Sequence, residues 1–201
     1  MEQIKPAERI VPQPGDVLLV VDVQYDFLPG GALGVAHGDE IIPALNRCIA
    51  LFAAKNLPVY ASRDWHPPDH ISFHVRGGPW PVHCVANTHG AAFSPELKLP
   101  PSTAIINKAD KRDLEAYSVF SGTDFDRRLR AGHVRRIFIG GLATDYCVLN
   151  TAKDAHALGY EYFVLTDAVR AVDVRLGDGG RALEEMHRLG AHLIVSGTLS
   201  A

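Results

Sequence analysis

Residues 16–24, Asp-Val-Leu-Leu-Val-Val-Asp-Val-Gln, form an apolar run without alternation, the pattern of a parallel strand covered on both faces. The next patterned segment, 39–56, sets apolar side chains at helical spacing behind leading acids and a proline in the first turn, which predicts a helix. Strand-like Leu-Pro-Val-Tyr-Ala-Ser-Arg-Asp-Trp-His follows at 57–66. The alternation then continues with a strand at 103–108, a helix at 124–133, a strand at 135–141, a helix within 140–159, a strand at 161–167, a helix at 180–190 and a strand at 191–197. Strand and helix by turns predict an α/β fold, a parallel sheet with helices on both faces joined by right-handed crossovers. Ligands of such sheets bind beyond the carboxyl ends of the strands. One stretch breaks the alternation, about 65–101, rich in Pro, Gly and His; loops of that length in a compact domain usually carry function. Neither a repeat nor a low-complexity tract divides the chain, so one domain over 1–201 is expected. Gly-Asp-Gly-Gly at 177–180 follows no strand and reads as a turn, not a dinucleotide-binding fingerprint.

Composition narrows the function classes. Of 201 residues 47% are hydrophobic and 21% charged, the balance of an ordinary globular protein. Twenty Lys plus Arg stand against 23 Asp plus Glu, for a net charge of -3. Without a basic block there is no footprint for nucleic acid. The first sixteen residues mix charges and prolines, and nowhere do apolar residues approach the ~20 needed for a membrane span. A soluble, cytoplasmic protein with no membrane partner is the expectation. Cys48, Cys84 and Cys147 have neither disulfide-framework nor metal-knuckle spacing and are read as thiols.

Four chemistry-bearing residues fall at predicted carboxyl ends of strands: Asp22, Asp64, Lys108 and Cys147. Singly, an Asp or Lys there is a solvated cap and a Cys on a helix is small core filling. Together they make what an activated sulfur nucleophile needs. Only the thiolate attacks, and a free thiol of pKa about 8.5 is mostly protonated at neutral pH. Helix amides and a nearby Lys favour the anion, and Asp22 could take the thiol proton and return it to a leaving amine. The small residues of Gly-Gly-Leu-Ala-Thr before Cys147 let backbone N–H groups face a developing oxyanion. A second signal lies in 63–84, where Asp64, His66, His70, His74 and His83 offer five candidate metal ligands in one loop; three protein ligands with open positions mark a catalytic site. His37, His89, His133, His156, His187 and His192 are scattered and read as surface or helix residues.

The strings Val-Val-Asp-Val-Gln-Tyr-Asp-Phe, Arg-Asp-Trp-His-Pro-Pro-Asp-His-Ile-Ser-Phe, Trp-Pro-Val-His-Cys, Ile-Asn-Lys-Ala-Asp-Lys-Arg-Asp-Leu-Glu-Ala-Tyr-Ser-Val-Phe and Gly-Gly-Leu-Ala-Thr-Asp-Tyr-Cys occur in that order between about 16 and 196. Together they resemble the nicotinamidases of the isochorismatase-like cysteine hydrolases. The resemblance implies a three-layer, doubly wound fold with a six-stranded parallel sheet. It implies a catalytic triad of Asp22, Lys108 and Cys147. An oxyanion hole from the backbone N–H groups of Ala143 and Cys147 goes with it, beside a cis peptide between Leu142 and Ala143. Metal ligands would be Asp64, His66 and His83, with His70 a further candidate. The implied ion is one divalent cation, zinc first, iron or manganese otherwise. Phe27 and Trp80 match aromatics that enclose the substrate ring, while Tyr146 stands where relatives vary and would tune the pocket. The implied activity is hydrolysis of nicotinamide, with pyrazinamide a second substrate, and relatives often form homo-oligomers. Relatives acting on isochorismate, carbamoylsarcosine or ureidoacrylate generally lack the Asp-Trp-His plus Trp-Pro-x-His-Cys pattern. The alternatives are an amidohydrolase for another small amide or ureido compound, and a non-catalytic metabolite-binding member.

Overall fold

A computed structural model describes residues 9–201. Six strands form one sheet: β1 (Asp16–Val21), β2 (Val59–Asp64), β3 (Ala104–Lys108), β4 (Arg136–Leu142), β5 (Glu161–Arg170) and β6 (His192–Ile194). Their order is β3-β2-β1-β4-β5-β6 and every pairing is parallel. The chain thus winds outward from β1 in one direction and from β4 in the other, so the switch point lies between these two central strands, where open α/β sheets bind ligands. Asp22 leaves β1 at one side of that crevice and the turn carrying Cys147 leaves β4 at the other.

The period of two in β1 explains the layers. Leu18 and Val20 pack with α1 (Ile42–Ala54), through Leu45, Ile49 and Phe52, and with Phe138 and Phe163. Val17, Leu19 and Val21 point the other way, into a second core built with α2 (Phe125–Ala131), α3 (Leu149–Ala157) and α4 (Asp178–Arg188). Both faces of β1 are dry, which is why its sequence shows no alternation. Pro43 sits in the first turn of α1, where its missing N–H costs nothing.

Some elements differ from their predicted bounds for local reasons. The last strand ends at Ile194, because the Asp167 carboxylate accepts the N–H and hydroxyl of Ser196 and bends the chain into a short 3-10 turn. The turn read at 177–180 is instead the start of α4: Gly177, at φ +87°, precedes the helix and Asp178 to Gly180 form its first turn. The segment after β4 opens with a π turn, Thr144–Val148, before α3; such turns are frequent at functional sites. Between β2 and β3 only His74–Arg76 has helical form. That long loop is anchored to the body by an isolated bridge from Gln24 to Phe93 and closed on itself by one from His66 to Val85. Among the described residues no helix is long and apolar enough to cross a membrane.

Candidate active site

At the carboxyl end of the sheet, Asp22, Lys108 and Cys147 meet. Lys108 closes β3, and its Nζ lies 2.9 Å from Asp22 Oδ2 and donates to Cys147 Sγ at 3.3 Å. The three are 0%, 1% and 5% exposed. The other Asp22 oxygen accepts from the Ser62 hydroxyl at 2.6 Å. Asp22 stands at φ +51°, and the residues following two other site residues, Cys84 after His83 and Ala109 after Lys108, are at +46° and +50°. Left-handed backbone is costly for residues with a Cβ and clusters at functional sites. Gly141, at φ +131°, is forced by contact, since a Cβ there would lie 2.0 Å from the Val21 carbonyl oxygen. The peptide between Leu142 and Ala143 is cis.

Burial sets the charge states. It pushes the Asp22 carboxyl above its ordinary range, with the charge of Asp64 adding and Lys108 opposing. Asp64 goes the other way: burial opposes its ionisation, but Lys108 and His66 outweigh it and hold it well below the usual carboxylate range. Lys108 stays firmly charged between the two carboxylates despite its burial. Cys147 departs from the sequence expectation of a favoured thiolate. Lys108 does pull toward the anion, but burial outweighs it and, with the charges of Asp22 and Asp64, raises the thiol well above its ordinary value. Burial thus favours the protonated sulfur, beside a carboxyl group with raised proton affinity.

Asp64 also belongs to a second cluster. Ligand atoms of Asp64, His66 and His83 lie within 4.8 Å of one another, all buried. His66 Nε2 is 3.6 Å from Asp64 Oδ2 and has no hydrogen-bond partner, while its Nδ1 meets the Ala109 carbonyl at 3.2 Å. His83 uses Nδ1 on the Pro81 carbonyl at 2.8 Å, and burial lowers its proton affinity, keeping it in the neutral form that ligates. An orphaned ring nitrogen beside a carboxylate and a second imidazole, each imidazole fixed through its other nitrogen, is a donor set that fits a divalent ion.

His70 does not join this set. Its ring lies 4.2 Å from that of His66, but both nitrogens are engaged, Nδ1 with Ser72 Oγ at 2.7 Å and Nε2 with the Leu114 carbonyl at 3.0 Å. His74 is exposed and its Nδ1 meets the Gly78 carbonyl. Of the scattered histidines, His89 stacks on Tyr25 and His192 on Phe163, away from both clusters.

The aromatics fall in two contacts. Phe27 packs on His83 with ring centres 5.5 Å apart. Trp80 packs edge-to-face on Tyr146 at 4.9 Å, and its indole N–H donates to the Tyr117 hydroxyl at 2.9 Å. Tyr117 is absent from the sequence-derived candidates, as are three residues that fasten the site. Gln24 accepts from the Asp64 backbone N–H and donates to the Asp64 and Ala91 carbonyls. Asp26 accepts from the Cys84 N–H at 2.7 Å, and Ser62 holds Asp22. Gln24, Asp26 and Tyr117 lie inside the motif strings, but their roles depend on pairings across 37 to 67 positions, which the strings do not carry.

The isochorismatase domain matches residues 16–196. The nicotinamidase of Escherichia coli (strain K12) is 37% identical over 201 aligned residues, covering 90% of this chain and 94% of that protein. Among solved structures, the pyrazinamidase of Pyrococcus horikoshii in complex with zinc is 50% identical, with a TM-score of 0.87 over 90% of this chain and 99% of that one. PnC1 from L. infantum in complex with nicotinate is 34% identical, with a TM-score of 0.88 over 95% of this chain and 98% of that one. Six parallel strands in this order, and a match that runs from the first residue of β1 to the turn after β6, make the chain a member of the isochorismatase domain family.

Proposed function

We propose that this chain is a metal-dependent cysteine amidohydrolase that converts nicotinamide to nicotinate and ammonia through a thioester, in the salvage of nicotinamide toward NAD, and that it also accepts pyrazinamide. The observation that carries the reading is the position of Asp64, one oxygen on Lys108 of the Asp22–Lys108–Cys147 group and the other toward His66 of the ligand cluster. Nucleophile and metal centre thus share one carboxylate, close enough to act on two ends of one small ring. The activities and bound groups of the E. coli, P. horikoshii and L. infantum relatives support the same substrate class.

Asp22 takes the proton of Cys147, and the resulting thiolate attacks the carboxamide carbon. The carbonyl electron pair moves onto oxygen, where the N–H groups of Ala143 and Cys147 receive it. Collapse of this intermediate breaks the C–N bond, and Asp22 returns its proton to the departing nitrogen, which leaves as ammonia. Water then gives a proton to Asp22 and attacks the thioester; nicotinate leaves and the sulfur regains its proton. Lys108, fixed between sulfur and carboxylate, stabilises whichever of the two is charged. Phe27 and Trp80 hold the ring between them, and Tyr117 fixes the indole. A divalent ion, zinc before iron or manganese, would be held by Asp64, His66 and His83, where it supplies a Lewis-acid contact that orients the ring nitrogen of the substrate.

Ammonia release from nicotinamide, measured before and after chelation, tests this reading. Activity lost on stripping and restored by zinc, iron or manganese is the expected result. No release in any metal state would overturn it and direct attention to carbamoyl and ureido compounds.

A further inference from the structure

Lys108 does more in this geometry than neutralise two acids. The ligand atoms of Asp22, Asp64 and Cys147 lie within 4.8 Å of one another, all buried, and the ammonium is placed among them. Two carboxylate oxygens and a sulfur are a donor set for a thiophilic divalent ion such as zinc or cobalt. The three N–H bonds of Nζ go to Asp64 Oδ1, to the Ala116 carbonyl and to Cys147 Sγ. Asp22 Oδ2 meets Nζ at 2.9 Å as an ion pair and has no further partner. One buried acceptor is therefore aimed into the cluster and left to ionic contact alone.

We propose that the Lys108 ammonium fills a second cation position, ligated by Asp22, Asp64 and Cys147, and thereby confines the divalent ion to Asp64, His66 and His83 and keeps the sulfur uncoordinated. This rests on the metal reading given under Proposed function. A divalent ion in the second position would share Asp64 with the first, as bridging carboxylates do in two-metal sites. It would also take the sulfur lone pair that must attack the amide. A tethered ammonium supplies positive charge at that point, cannot be exchanged for an ion from solution, and forms no coordinate bond to sulfur.

Cobalt(II) is the probe, because a cobalt–thiolate bond gives a strong near-ultraviolet charge-transfer band that nitrogen and oxygen ligands do not. Wild type is expected to bind one cobalt ion per chain without that band. Lys108→Ala is expected to bind two and to show it, and Lys108→Ala combined with Cys147→Ala should lose both the band and the second ion. A Lys108→Ala protein that is folded and binds no more than one ion without the sulfur band overturns the proposal, as does the band in wild type. Lys108→Gln, which keeps more of the side-chain volume, is run in parallel, with cobalt present during refolding. Failure of both variants to fold even then also counts against the proposal, since the second ion should replace the missing charge. Wild type that binds no cobalt, with a Lys108→Ala protein that binds one ion through sulfur, would remove the Asp64–His66–His83 centre while upholding the cation position at Lys108.

Discussion

The ammonium of Lys108, at the end of β3, lies 3.3 Å from the sulfur of Cys147, in the π turn after β4 and 39 positions away in sequence. A charged Lys in a fully buried setting persists only when paired, and here Asp22 and Asp64 flank it. Burial raises the proton affinity of both Asp22 and Cys147, and the proposed chemistry moves a proton between these two.

This arrangement has a pH signature. Asp22 must be a carboxylate to accept the proton, and burial raises its pKa above the ordinary 3.8. The basic form is the competent one, so kcat/KM should fall as pH drops through a midpoint above 3.8, the free enzyme's value being the one this ratio reports. A profile that stays flat on the acid side down to about pH 4 would take Asp22 out of the base role.

Gln24 touches no reacting atom in the scheme, yet its amide clasps the Asp64 backbone from both sides. Groups that orient a metal ligand from behind typically govern affinity by about 10–100-fold. Gln24→Ala is therefore expected to weaken metal binding by about that factor with the fold intact, measured by competition with a chelator. Unchanged affinity would show that Asp64 is held without it.

His70→Ala separates two uses of the loop histidines. With both ring nitrogens of His70 committed to Ser72 and Leu114, its removal should leave metal affinity within about threefold, while costing about 1–3 kcal/mol through the partners it abandons. A drop in metal affinity as large as that of His83→Ala would make it a ligand after all.

At the switch point the fold allows no side chain on Gly141. Gly141→Ala would drive a Cβ against the Val21 carbonyl at a φ that L residues avoid, and overpacking of this kind costs about 1–3 kcal/mol. Thermal unfolding should come down by about 2–12 °C, at roughly 2–4 °C per kcal/mol in a chain of this size. An unchanged Tm would mean that β1 and β4 yield at this point.

The sheet was readable because its signals are local. β1 is apolar on both faces and lacks polar alternation, and α1 shows its buried Leu45, Ile49 and Phe52 at helical spacing. Asp22 and Lys108 were legible because each directly follows or ends a strand pattern, and Cys147 because it lies in the turn that leaves the next one; a parallel sheet collects such ends on one side. What stayed hidden was long-range. Ser62 reads as a mid-strand polar residue until β2 pairs with β1 and its hydroxyl meets Asp22. His66, His70 and His74 recur at equal spacing, and only the folded loop distinguishes an orphaned Nε2 from nitrogens already engaged. The effect of burial on Cys147 was hidden for the same reason, since the depth that outweighs the pull of Lys108 is set by the packed loops.

The most direct measurement is the rate of ammonia release from nicotinamide by wild type and by Cys147→Ala, each with its metal content determined. The account predicts a folded variant with wild-type metal loading whose rate is lower by at least about 10³-fold, as when the nucleophile of a covalent mechanism is removed. A Cys147→Ala protein that still releases ammonia within about tenfold of wild type would contradict it, because the scheme places the thioester on Cys147 alone.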